Sequence, residues 1–163
     1  MLRALLAWLL VSMPAGPVPT AVDRSISLLN YRFVGLPSDS DSAGRTNELW
    51  TIRNKGPALH EFVVLRLRDS TELPAIDDWI TRGASRLLPP APVVVSVEAL
   101  IPGEAVTRRV RLEPGLYVVL CMVPAGRNAN GEIRDHTHLG MRSTFVIGSD
   151  WYRLTRRLGS AGI

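Results

Sequence analysis

The chain has 163 residues, 46% of them apolar and 21% charged, which suits one globular domain with an adequate core and excludes a disordered chain. Nineteen basic residues against fifteen acidic ones give a formal net charge of +4, and all of the basic residues except Lys55 are Arg. Only Arg108, Arg109 and Arg111, and Arg153, Arg156 and Arg157, run together, and neither group has the interleaved aromatics of the basic stripe that nucleic-acid binding requires.

Residues 1–21 read as a signal peptide or N-terminal targeting segment. Arg3 precedes the apolar run Ala4–Met13, and the small, Pro-rich stretch PAGPVPTA follows it. The run is about half the roughly 20 residues a membrane-spanning helix needs. The expectation is an exported protein, periplasmic or extracellular, which an uncleaved segment would associate with a membrane. With the segment removed the charge becomes 18 − 15 = +3.

The body of the chain, 22–148, reads as mostly strand. Ser25–Phe33 is rich in β formers, and GLPSDSDSAGR after it is a loop by composition. Glu48–Asn54 alternates and ends in the turn NKGP. His60–Arg68 places His60, Phe62 and Val64 on one face and Val63, Leu65 and Leu67 on the other. Thr71–Ser85 breaks the β pattern, and Leu73, Ile76 and Ile80 at helical spacing predict a short helix. LLPPAP links it to a strand at Val93–Leu100. In the next strand Val106, Val110 and Leu112 oppose Thr107, Arg109 and Arg111. Leu116–Val123 is nearly all apolar, as in a strand buried on both faces. Arg142–Ile147 is the last strand, and 149–163 reads as a basic tail. About seven strands with Gly/Pro turns and one short inserted helix predict an all-β sandwich.

The chemistry concentrates in two short segments. Tyr117–Met141 holds the only cysteine, Cys121, two of the three histidines, His136 and His138, and Met141. The third histidine, His60, heads a strand in NKGPALHEF. Thiolate, imidazole and thioether are the donors of a copper site. Each residue alone is more often structural than functional; three of three histidines, the one cysteine and a placed methionine together favour a metal site. An exported chain with a single Cys forms no internal disulfide, which adds weight to a ligand role. Asn54 reads as a turn residue, Glu61 as solvent-facing, Met122 as core, and Trp50 and Trp79 as packing residues.

Other chemistries lack their residues. The His60-Glu61 pair has no second His for a zinc-protease motif, and no G-x-S-x-G elbow or phosphate loop is present. Asp77 and Asp78 are adjacent and point to different helix faces, a poor acid–base pair. A two-thiolate copper centre needs two cysteines, and a catalytic multicopper enzyme needs more histidines than three.

NKGPALHEF, EPGLYVVLCMVP and HTHLGMRSTFVI resemble segments of the cupredoxins, the blue-copper, plastocyanin-like superfamily of Greek-key β-sandwiches. LLNYRFVGLP, HEFVVLRL, PGLYVVLC and LGM are similar, more closely, to an uncharacterised group of exported bacterial cupredoxin-like proteins. The resemblance spans roughly Ser25–Ile147. It implies one type 1-like copper cycling between Cu(I) and Cu(II), held by His60, Cys121 and His136 with Met141 as weak axial ligand. His138 is the alternative to His136, and the closer group favours His136. It further implies a brace role for Asn54. The implied function is one-electron transfer to a redox partner protein or membrane complex, without substrate chemistry, small-molecule substrate or nucleic acid, by a monomer. Copper storage or delivery, and a metal-free envelope module, are the alternatives. One departure stands out: fourteen residues separate Cys121 from His136, where most cupredoxins have a few. Either this stretch folds back as a small hairpin and still delivers His136, or the site has altered geometry or no metal.

Overall fold

A computed structural model describes residues 22–38, 46–83 and 88–148. The targeting segment over 1–21, the tail over 149–163, part of the loop after Pro37 and the end of the expected helix at Ser85 lie outside the described residues.

The fold is the expected all-β Greek-key sandwich. One sheet runs β2(Arg32–Val34), β1(Val22–Leu29), β3(Thr46–Asn54), β6(Ala105–Leu112). The other runs β10(Arg142–Ile147), β7(Gly115–Leu120), β4(His60–Leu67), β5(Val93–Leu100). The chain crosses between sheets from β3 to β4, returns from β5 to β6, and crosses again to β7.

Strand patterning decides what each face meets. Phe62 and Val64 of β4 and Tyr117 and Val119 of β7 pack with Ile26, Trp50 and Phe145 in the core between the sheets. Val63, Leu65 and Leu67, with Leu116, Val118 and Leu120, form a second core on the other side of the same sheet. There α1(Leu73–Thr81), entered by a turn of 3-10 helix (Ser70–Glu72), covers them with Ile76, Trp79 and Ile80. Both faces of β4 and β7 are therefore dry, which is why these strands are almost continuously apolar. Trp50 and Trp79 are core residues, and Met122 packs on the helix side, away from Cys121. Tyr117 pins the start of β7 by donating its hydroxyl to the Glu113 carbonyl at 2.5 Å.

Two expectations change. Ser25–Phe33 is a hairpin, not one strand: Leu29 pairs with Arg32, and the chain reverses at Asn30 and Tyr31. The β-rich composition hid the reversal because Tyr31 takes φ 54, a conformation usually left to Gly or Asn. The long stretch after Cys121 contains two further strands, β8(Pro124–Arg127) and β9(Ile133–Asp135), so the described residues hold ten strands rather than seven.

Candidate metal centre

His60 opens β4, beside an irregularity in its pairing with β5 between His60 and Phe62. Its loop is braced by Asn54, whose Nδ2 donates to the Ala58 carbonyl (2.7 Å) and the Leu100 carbonyl (2.8 Å) while Oδ1 accepts from the Gly56 N–H (2.8 Å). Asn54 is both turn residue and brace. Gly56 leaves the room that the His60 ring fills, since a Cβ there would lie 2.8 Å from Nε2.

Cys121 follows the last residue of β7. Alternation carries its side chain to the inter-sheet face that Tyr117 and Val119 share, the same face as Phe62 of β4. Beyond the last β4–β7 pair, Val63 with Leu120, the Glu61 N–H meets Cys121 Sγ at 3.2 Å instead of a carbonyl. The Cys121 N–H donates to the Met141 carbonyl at 3.2 Å.

The fourteen-residue stretch is solved by going out and back. β8 and β9 form a two-stranded ribbon whose base pairs Pro124 with Asp135. At that base the His136 N–H donates to the Val123 carbonyl at 2.9 Å, and the Met141 N–H to the His136 carbonyl at 2.9 Å. Between them His136–Leu139 form a turn of 3-10 helix. Asp135 caps it, accepting on Oδ1 from the N–H groups of Thr137 (3.1 Å) and His138 (3.4 Å) and from the Thr137 hydroxyl. Gly140 ends it at φ 95, where a side chain would be strained.

Three of the sequence-predicted residues converge. His60 Nδ1 lies 3.1 Å from His136 Nδ1, and Cys121 Sγ lies 3.4 Å from His136 Nδ1 and 3.9 Å from His60 Nδ1. All three side chains are buried, and no other group among the described residues gathers three such donors. Met141 is fully buried in the core cluster that includes Cys121. His138 is not part of the convergence; its Nδ1 lies 2.8 Å from Asp135 Oδ1, as a component of the cap.

The donors fit one ion. Protein ligands bind at about 2.0–2.1 Å through imidazole and about 2.3 Å through thiolate, values known best for zinc, so neighbouring donors around one ion sit roughly 3.3–3.8 Å apart. The triangle of 3.1, 3.4 and 3.9 Å straddles that range. Two imidazoles and a thiolate with a methionine close by form the set that suits copper.

Electrostatics keep the metal-free donors neutral. Burial pushes the Cys121 thiol up to about 11, against the opposing pull of the Glu61 and Val123 N–H groups on sulfur. Burial, then the neighbouring His136, lowers the His60 pKa; burial lowers that of His136, with Asp135 opposing. A cation held by these donors would reverse the thiol's preference, so that Cys121 would bind it as thiolate and give up its proton.

Sequence reasoning missed four residues here. Glu61 is half-buried rather than solvent-facing, and desolvation raises its carboxyl pKa. Asp135 had a local signal, a cap residue before a short turn. Gly56 and Tyr31 had none: nothing local shows that the His60 ring folds back over Gly56, and His136 reaches Tyr31 from far along the chain. Tyr31 sets its ring edge-on to His136, with centroids 5.1 Å apart and planes at 79°.

No family model matches the chain, and a search of curated proteins finds no match. Solved structures similar to it include dithionite-reduced auracyanin from the photosynthetic bacterium Roseiflexus castenholzii, at 19% identity and a TM-score of 0.47 over 79% of this chain and 98% of that one. Auracyanin A of Chloroflexus aurantiacus, a "blue" copper protein, is similar at 20% identity and a TM-score of 0.46, over 79% of this chain and all of that one. An azurin from the methylotroph Methylomonas sp. strain J follows at 14% identity and a TM-score of 0.45, over 78% and 98%.

Proposed function

We propose that this chain is an exported, cupredoxin-type protein that binds one copper ion and passes single electrons to a redox partner protein or membrane complex, acting as a monomer without substrate chemistry. The observation that carries this reading is the buried meeting of His60 Nδ1, Cys121 Sγ and His136 Nδ1, each mounted on a different part of a rigid frame.

His60, Cys121 and His136 would hold the ion, with Met141 as the weak fourth donor. Copper supplies the one-electron couple between Cu(I) and Cu(II). The protein's contribution is stillness and dryness. Cys121 is tied to β10 through Met141, His136 to Val123 and Met141, and the His60 loop to Asn54. Donors held this way move little when charge changes. The N–H of Glu61 on Cys121 Sγ draws charge from the sulfur and tunes the potential.

Copper storage or delivery calls for an open site, whereas all three donors here are buried. The long stretch that favoured a metal-free sandwich forms the ribbon that returns His136 to Cys121. Among the described residues no helix is long and apolar enough to cross a membrane.

The deciding experiment adds Cu(II) to the purified protein and records its visible spectrum. A strong thiolate-to-copper band is expected, lost in Cys121→Ser and His136→Ala and kept in His138→Ala. Binding of Cu(I) alone would turn the reading to copper handling. Failure to bind either state stoichiometrically would overturn it.

A further inference from the structure

His136 lies on a loop yet is only 4% exposed, and Tyr31 sits against its ring. Tyr31 belongs to the turn between β1 and β2, in the opposite sheet from Cys121, and is itself 40% exposed. Its backbone has φ 54, and it is the sole non-glycine residue with positive φ among the described residues. At the third position of a four-residue turn this conformation is normally given to Gly or Asn. Asn30 stands one position earlier, so an Asn was within reach of the turn and the strained place still carries a bulky ring. Strain of this kind persists where the surroundings use it.

What the ring does follows from how the two imidazoles are held. His60 is walled in by its own loop, where Gly56 stands against Nε2. His136 has its backbone tied on both sides, but its ring meets the other donors only through Nδ1. Its ring also makes T-shaped aromatic contacts with His60, at 4.9 Å between centroids, and with Tyr31 at 5.1 Å. Tyr31 therefore supplies for His136 the wall that Gly56 and its neighbours supply for His60.

We propose that Tyr31 is a positioning residue for the metal centre: its ring closes the outer side of His136, keeps water off it and fixes the angle at which Nδ1 faces Cys121 and His60. The proposal rests on the copper reading for its consequence and on the contact with His136 for its substance. The aromatic ring is what matters, so the hydroxyl is dispensable.

The test compares Tyr31→Phe, which keeps ring and strained backbone, with Tyr31→Asn, which relaxes the backbone and removes the ring. Tyr31→Gly is the second ringless variant should Asn fail to fold. Imidazole nitrogen NMR follows His60 and His136 in the metal-free and Cu(I)-loaded protein, and a chromogenic chelator measures Cu(I) release. In the ringless variants the His136 signals should broaden and exchange faster with water while those of His60 hold. Copper affinity should fall roughly 10–100-fold, as for other residues that orient a ligand. The reduction potential should shift, and urea resistance should stay the same or rise. Tyr31→Phe should match the wild type throughout. Unchanged His136 exchange and copper release in the ringless variants would overturn the proposal, as would equal losses in Tyr31→Phe. Should the wild type itself take up no copper, the copper reading fails, and the metal-free NMR still decides whether Tyr31 holds His136.

Discussion

Gly56 and His60 occupy the space of a single side chain. A Cβ on residue 56 would stand 2.8 Å from His60 Nε2, 3.2 Å from Cδ2 and 3.4 Å from Asn54 Oδ1. His60 is fully buried between this loop, Cys121 and His136, so its ring can yield only toward those two side chains.

Gly56→Ala should therefore act on stability and site together. Overpacking of this kind costs about 1–3 kcal/mol. Because the ring gives way toward Cys121 and His136, the copper spectrum should change as well. Urea unfolding of the metal-free protein and a copper titration read the two effects. A variant with wild-type stability and spectrum would show that the loop relaxes freely and that Gly56 does not shape the site.

Asn54 gives a second prediction. Asn54→Ala leaves the Leu100 carbonyl and the Gly56 N–H without their partner inside the fold. Each unsatisfied buried group costs about 1–3 kcal/mol, so a loss on the order of 3 kcal/mol is expected in chemical denaturation. Asn54→Asp should do no better. Its carboxylate still accepts from Gly56 but faces two carbonyls to which it has nothing to donate. Wild-type stability in Asn54→Asp would refute the brace.

The third prediction concerns pH in the metal-free protein. His60 and His136 have lowered pKa values when folded, so the unfolded chain binds more protons on acidification. Their contribution is present above the unfolded imidazole value of about 6.5 and is lost as pH falls from there through the lowered folded values. Cys121 behaves in the opposite sense. Its thiol is raised from 9.0 to about 11, so its contribution is present below 9.0 and is lost as pH rises through about 11. Urea midpoints across this range should form a plateau with two falling limbs. Cys121→Ser should soften the alkaline limb and His136→Gln the acidic one. Identical profiles in wild type and variants would show that these groups are not buried neutral.

Much of this was legible in order along the chain. Alternation in His60–Arg68 and the apolar run after Gly115 are local signals. They placed Phe62 and Val64 opposite Val63, Leu65 and Leu67, and marked the strand that leads to Cys121, because side-chain direction in a strand follows from a period of two. The helix at Leu73–Thr81 was visible for the same reason, through its own period. The candidate donors were visible through their scarcity.

Composition and short-range periodicity were enough for the sandwich, its patterned strands and the small set of residues able to bind a metal. Which of them meet depends on how the chain packs in three dimensions. Packing folded the residues after Cys121 into a ribbon that brings His136, not His138, to within 3.4 Å of the sulfur. It also brought Tyr31 from the opposite sheet onto the His136 ring. Those contacts join residues far apart in the chain through packing and loop closure, which leave no periodic trace in the sequence.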